Sequence, residues 1–426
     1  MNRDDLERMS KAALVELVLQ LQRPAKTSRT SSKPPSTDRK AKREASKPGG
    51  ATPGHKGHFR ALSAAPDRIV DHRPDHCVGC GHAFTGDAES TVIGAYDSID
   101  LPPIAPVTTR HRRLALTCPG CGARSKAPQP DAASSSPFGP MIGALAFYLK
   151  HFQHVSYWRL EGLFRDVFGL RISQGALANL FRRGSARFEA GKADALARLR
   201  QAEAVASDET GVRIEGANSQ HWVFLAKDAV VHEAAYSRGA QVVRDVMGGH
   251  RPRFWLSDRY AAQQNHAGRQ QACLAHLARD IAYGVEASED MAPFRLKLWI
   301  DDVFALWRGL AGYAAATIKR KRRELEARLA DILQTRSDCD IARRLLAKIA
   351  NARDQLLTFL DAPDLVEPTN NGSERALRPA VINRKVTNGF RSMWAAQTDA
   401  AVRTVVDTAR LAGQNPFQTI RTTIEN

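Results

Sequence analysis

Apolar residues recur at helical spacing over 5–22, 136–198, 290–362 and 372–415, and at strand spacing between 204 and 257. In the first stretch Leu6, Met9, Leu14, Leu17, Val18 and Leu21 share one stripe, and Pro24 stops it. The stripe is shorter than three heptads, so two readings stay open: docking on the chain itself, or pairing with another helix. Over 136–198 the pattern is all-helical and breaks at Gly169-Leu170, with Ser173 placed to cap a helix over 174–183. Two helices around a Gly-containing turn, the second ending in Arg182-Arg183, fit a helix-turn-helix, as does any helical hairpin. The spacing then predicts strands at 204–207, 212–214, 221–226, 230–234 and 253–257, and helices at 238–247 and 273–282, a mixed α/β sheet. Leu325, Leu329, Ile332 and Leu333 line one face of the helical stretch 290–362, which Pro363 ends; a loop near Asn388-Gly389 interrupts the last helical stretch.

Between these patterned stretches lie two segments of other character. Residues 23–62 are dominated by Ser, Thr, Pro, Gly, Lys and Arg, the composition of a disordered linker. Residues 63–132 carry strand-like runs at 90–93 and 107–116, separated by Pro102, Pro103 and Pro106. The expected organisation is therefore a helix at 1–22, a linker at 23–62, a cysteine-bearing domain at 63–132, a helical domain at 136–198 and an α/β domain at 199–426 with a helical insertion at 290–362. The longest apolar run, 139–149, is shorter than the ~20 residues of a membrane span, and a secretory apolar segment is not evident. A soluble, intracellular protein is expected.

Charge adds a partner. The chain of 426 residues holds 62 Lys and Arg against 45 Asp and Glu, a net +17, which favours a polyanion such as nucleic acid. From Arg23 to Arg60 there are eleven basic and two acidic residues, so about half the surplus sits in one arm suited to tracking phosphates.

Two constellations carry chemistry. Cys77-x-x-Cys80 and Cys118-x-x-Cys121 offer four thiolates in two knuckles, the set that tetrahedral structural Zn²⁺ takes in a zinc ribbon. A redox pair or free thiols are the rival readings, and His76 or His82 lies close enough in sequence to replace a ligand. Gly79 and Gly120 are expected to permit the turns, and Arg110, His111, Arg112 and Arg113 to face phosphates. Cys273 and Cys339 read as packing residues. The second constellation is three acids: Asp208 after the apolar run 204–206, Asp258 after 254–256, and Glu374 near a helix start. Acids converging at a sheet edge repel one another unless a divalent cation binds them, and Mg²⁺ prefers such oxygen ligands. Ordinary strand-end and helix-start acids are the alternative.

Several segments resemble the IS66-family transposases. Ser32-Lys33-Pro34-Pro35-Ser36 and Pro53-Gly54-His55-Lys56-Gly57-His58 resemble that family's basic N-terminal region, and the cysteine knuckles its zinc-binding domain. Asp208-Glu209-Thr210-Gly211, Leu256-Ser257-Asp258-Arg259-Tyr260 and Asn370-Asn371-Gly372-Ser373-Glu374-Arg375 resemble the segments bearing its three catalytic acids. The run from Cys273 to Asp280, Gly389-Phe390-Arg391-Ser392 and Gly413-Gln414-Asn415-Pro416-Phe417 continue the likeness, whereas Gln263 stands where an aromatic is expected.

The resemblance implies a multidomain α/β fold: an RNase H-like catalytic core with a helical insertion, preceded by a zinc ribbon-like and a helix-turn-helix-like domain. It implies a DDE transposase that cleaves element ends and transfers strands into target DNA, with Asp208, Asp258 and Glu374 binding Mg²⁺ or Mn²⁺ and Cys77, Cys80, Cys118 and Cys121 binding Zn²⁺. Arg375, Arg378, Arg384 and Lys385 then hold DNA backbone, with Arg182 and Arg183 on the helix-turn-helix. Glu209 reads as support on the opposite side of the strand, or as a ligand in place of Asp208; His276 reads as orienting a phosphate, or as an ordinary helix histidine. Expected partners are element ends, target DNA, further copies of the chain on DNA and element-encoded accessory proteins, and no membrane, in the bacterial cytoplasm at the nucleoid. The alternatives are a zinc-containing DNA-binding regulator without catalysis, and a hydrolytic nuclease.

Overall fold

The computed structural model describes residues 7–31, 38, 50, 54–57, 60–86, 88–128 and 136–425. The chain divides into two units, Lys40–Val107 and the remainder. Most of the basic arm and the start of the first helical stripe, Leu6 included, lie outside the described residues. Among the described residues no helix is long and apolar enough to cross a membrane.

Helix α1, Lys11–Gln22, starts where the Ser10 hydroxyl accepts the Ala13 amide. Of its stripe, Val18 and Leu21 are exposed and Leu14 and Leu17 half-buried. The segment after it lies against the helical insertion and the helix before it: Arg23 is 3.6 Å from Asp340, and the Lys26 ammonium sits 4.8 Å from the ring centroid of Tyr283, which precedes the insertion.

No strand forms at 90–93, and of the run 107–116 only Ala115 and Leu116 enter one, β1, Ala115–Thr117, paired antiparallel with β2, Arg124–Lys126. Three prolines within 102–106 remove the amide donors that a ladder there requires, and Val92, Ile93 and Tyr96 are exposed.

Over the helical segment α2, Pro140–Phe147, runs on into a π-helical turn, Tyr148–Phe152. Helix α3, Tyr157–Phe168, is capped by Ser156 and closed by Gly169 in the left-handed region, with the Leu170 amide returning to the Phe164 carbonyl. Helix α4, Gln174–Leu199, is capped by Ser173 as expected but extends sixteen residues past the predicted end. Gly184 does not break it because α2 packs there: a Cβ would come 2.7 Å from the Phe147 ring. The core of this segment is completed from far along the chain, by Ala401, Val402, Val406, Ile420 and Ile424.

The central sheet has the order β5-β4-β3-β6-β7. Strands β3, Ala204–Ile214, β4, Ala217–Leu225, and β5, Val230–Ala235, form an antiparallel meander. Glu215 and Gly216 join the first two with φ of 55° and 81°, both left-handed, the requirement of a two-residue hairpin turn with the sheet's own twist. After α5, Ala240–Met247, β6, Phe254–Ser257, adds parallel to β3, and β7, Arg269–Ala272, parallel to β6. The expected separate strands at 204–207 and 212–214 are thus one continuous strand.

One sheet face packs Val205, Trp222, Phe224 and Trp255 against α5 and the end of α4. Helix α6, Leu274–Ala287, leads into the insertion of α7, Met291–Arg308, α8, Ala315–Leu333, and α9, Asp340–Ala350, whose core includes Phe254 and Ala272 of the sheet. Helices α10, Asn371–Thr387, and α11, Met393–Leu411, cover the other face, followed by α12, Pro416–Glu425. Leu377 packs on Val223 and Val230, while Thr404 and Thr408 accept the amides of His232 and Val230.

Candidate active site

Asp208 sits within β3, at the point where its parallel neighbour β6 ends. Ala206 pairs with Leu256; Asp208 and Asp258 each lie two residues further and so leave the same face of adjacent strands. The Asp208 carboxylate accepts its neighbour Glu209's amide at 2.9 Å, and Asp258 accepts the Tyr260 amide at 2.9 Å. Glu374 comes from the first turn of α10, and Asn370 fixes that turn to the sheet. The buried Asn370 side chain donates to the Ser207 carbonyl at 2.9 Å, its backbone amide meets Cys273 Sγ at 3.2 Å, and its carbonyl accepts the Glu374 amide at 3.1 Å. From α6, His276 Nε2 and Arg279 Nη2 stand 3.7 and 3.8 Å from the Glu374 carboxylate.

The surroundings of Asp208 act against its charge. Burial first, then the charge of Glu209, and then those of Asp258 and Glu374 push the Asp208 carboxyl up to about 8, against the single opposing pull of the Glu209 amide. The three acids do not form a closed cage: among the described residues no group of three or more His, Cys, Asp or Glu is placed to hold a metal ion. The carboxylates are instead turned onto backbone amides, His276 and Arg279.

Glu209 points to the opposite face. Its side chain is almost fully buried, gripped by Arg238 at 2.6 and 2.8 Å and by the Gln263 amide at 2.6 Å, and burial raises its pKa. Arg238 also lies 3.9 Å from the Tyr260 ring centroid. Gln263, the residue standing where an aromatic was expected, is therefore a buried partner of Glu209. Sequence reasoning missed Arg238 and Arg279, which no spacing rule links to the acids, and missed the anchoring role of Asn370, although its Asn-Asn motif was in view.

Of the basic residues expected at DNA, Arg375, Arg378 and Lys385 are exposed on α10. Arg384 is turned back onto the Gly211 carbonyl of β3, which makes it a brace for the strand. Arg183 is exposed on α4, and Arg182 lies 4.7 Å over the Trp394 ring.

The two knuckles share one local geometry. In the first, the Cys77 amide donates to the His82 carbonyl at 2.8 Å and the Gly81 amide to the Cys77 carbonyl at 2.9 Å; in the second, Cys118 and Ala123, then Gly122 and Cys118, repeat both bonds at the same lengths. The left-handed residue is Gly81 or Gly122, each at φ 73°, just after the second cysteine, and not Gly79 or Gly120 as expected. Amides of Gly79 and Cys80 lower the Cys77 pKa, and those of Cys121 and Gly120 lower that of Cys118, which favours thiolates. Cys273 is a buried acceptor for Asn370, and Cys339 precedes α9.

The family model described as "Transposase IS66 family" matches residues 135–398. The chain belongs to that family. No curated protein matches it. The matched segment of this IS66-family transposase contains the sheet, all three acids and the insertion, while the cysteine knuckles precede it.

Proposed function

We propose that this transposase cleaves element ends and joins them to target DNA at a DDE centre made by Asp208, Asp258 and Glu374 on an RNase H-like core. The observation that carries the reading is geometric: the pairing of Ala206 with Leu256 sends Asp208 and Asp258 off the same face of adjacent strands, and Asn370 ties the turn that bears Glu374 to the Ser207 carbonyl beside them. The strand order, an antiparallel meander extended by two parallel strands, supports the core assignment. The donor set suits Mg²⁺ or Mn²⁺, being all oxygen, crowded and lacking a compensating cation against Asp208. When bound by Asp208, Asp258 and Glu374, such ions supply charge that offsets the repulsion and lowers the pKa of a water nucleophile.

The chain's own residues supply position. Asn370 holds the Glu374 turn to β3, and Arg238 and Gln263 keep Glu209 on the far face, out of the ligand set. His276 and Arg279 face the scissile phosphate beside Glu374, and Arg375, Arg378 and Lys385 hold backbone phosphates. In the first step a water oxygen bonds to phosphorus as the P–O3′ bond breaks and the 3′ oxygen takes a proton; that 3′-OH then attacks a target phosphodiester, releasing a second 3′-OH. Each knuckle carries a pair of thiolates suited to structural Zn²⁺.

The test is purified protein with Mg²⁺ or Mn²⁺, a labelled element end and target DNA. Joined strand-transfer product is expected, and Asp208→Asn, Asp258→Asn and Glu374→Gln each abolish it while retaining DNA binding. Binding without any cleavage assigns a regulator, nicking without joining a nuclease, and full turnover by any one variant removes that residue from the centre.

A further inference from the structure

One cleft lies away from the three acids, on the opposite side of the sheet. It encloses about 700 Å³ between α4, β5 and the start of α11, within the ~300–1,000 Å³ range of ligand sites. Register fixes its side of the sheet. Asp208 pairs with Val223 and Val223 with His232, so Glu233, the next residue of β5, faces away from Asp208.

Its walls are of two kinds. Trp394 is half-buried, with the Arg182 guanidinium 4.7 Å from its ring centroid, a flat and partly cationic surface. Opposite in chemistry are two carboxylates. Glu233 is paired with the buried Lys192 at 2.7 Å. Burial raises the pKa of Glu189, the Lys192 charge opposes that rise, and the Glu233 charge adds to it. Gln397 contributes an amide. Arg183 and Arg187 are exposed on the same helix, α4.

We propose that this cleft takes an unpaired nucleobase of the DNA substrate, one bearing an exocyclic amino group. The assignment rests on the reading that the transposase acts on DNA. Trp394 and Arg182 supply the stacking surface that any base accepts. Carboxylates repel phosphates but accept hydrogen bonds from the amino groups of cytosine and adenine, which thymine lacks. A neutral base therefore enters while its phosphates stay on the arginines of α4. A stacked, paired base cannot present itself this way, so the ligand is single-stranded or extruded from the duplex.

Equilibrium binding of dye-labelled dC, dA and dT oligonucleotides, and of a matched duplex of equal length, tests this without any cleavage. The full-length protein is expected to bind dC and dA more tightly than dT. Trp394→Ala is expected to weaken single-strand binding about ten- to hundredfold and to move duplex binding less than about twofold, with Trp394→Phe retaining most of the affinity. Trp394 also packs on the helical core; should its alanine variant fail to fold, Gln397→Ala and Glu189→Gln carry the test, since both are expected to erase the preference for dC and dA over dT. Variants that keep the wild-type order of affinities, or that lose duplex and single-strand binding equally, overturn the cleft assignment alone. Failure to bind any DNA overturns the DNA reading with it.

Discussion

Asp208 is a carboxyl whose surroundings oppose its charge. Folded, it holds its proton up to about pH 8; unfolded, its pKa returns to near the ordinary value of 3.8. Between those values the folded state carries the extra proton, so this group's contribution to stability falls as pH rises from about 4 to about 8, and its whole penalty stands above 8. Asp208→Asn removes the penalty. With chelator present at pH 8.5, the variant is expected to melt a few degrees above wild type, a shift on the scale of ~2–4 °C per kcal/mol for a domain of this size. The gap is expected to shrink at pH 5, and to close or reverse when Mg²⁺ is added to wild type. A variant melting at or below wild type at pH 8.5 in chelator contradicts the reading of Asp208 as an uncompensated acid. A nearby contrast shows why this acid stands out. Asp399 is buried more deeply, yet Arg403 at 2.7 Å and His151 at 2.9 Å outweigh its desolvation and hold its pKa well below the usual range. That acid is structurally compensated; Asp208 is not.

At the scale of elements, the site depends on how α10 and its exit loop meet β3. Asn370 fixes the start of α10, and the loop after α10 returns to the other end of the strand. There the Phe390 amide donates to the Arg213 carbonyl at 2.8 Å, and the Glu215 amide to the Phe390 carbonyl at 3.0 Å. Gly389 makes that approach with φ 109°, and a Cβ there would collide with the Arg213 carbonyl oxygen. Gly389→Ala is therefore expected to cost roughly 1–3 kcal/mol of strain, read as a lower urea midpoint with faster amide exchange at the end of β3; an unchanged midpoint refutes the close approach. Much of this architecture was legible in the sequence. Asp258 just past the end of β6, the Ser173 cap and the helical insertion follow local rules, the Asn370 block was legible through the family resemblance, and Asp208, expected at a strand end, lies within β3. What was hidden depends on distant partners. Strand β3 looked broken because Asp208 through Gly211 are polar, but that stretch, which carries the first acid of the candidate site, still pairs with β4 throughout. Strand β7, Arg269–Ala272, shows no apolar alternation because the buried Gln271 is satisfied by the Phe359 amide and the Ala272 carbonyl. A single sequence cannot show such partners.

Across the whole molecule the surplus of +17 is unevenly placed. The arm between Arg23 and Arg60 carries about half of it, and α10 presents Arg375, Arg378 and Lys385 outward from the helix that bears Glu374. These two sources of charge make different demands on DNA. Under the proposed function, a basic arm neutralises phosphates wherever they lie, whereas cations on the acid-bearing helix act only when the duplex is seated at the proposed centre. Each phosphate neutralised on B-DNA contributes about 0.9 to the slope of log affinity against log salt. Replacing Arg375, Arg378 and Lys385 together by Gln is thus expected to lower the magnitude of that slope by about 2.7, measured by anisotropy on a duplex longer than the footprint. Asp258→Asn serves as the control in the same titration, since it alters the centre without removing a cation and is expected to leave the slope in place. A triple variant with the wild-type slope would show that α10 does not touch the backbone. The DNA would then be held by the arm and the helical segment alone, leaving Glu374 without a seated phosphate to act on.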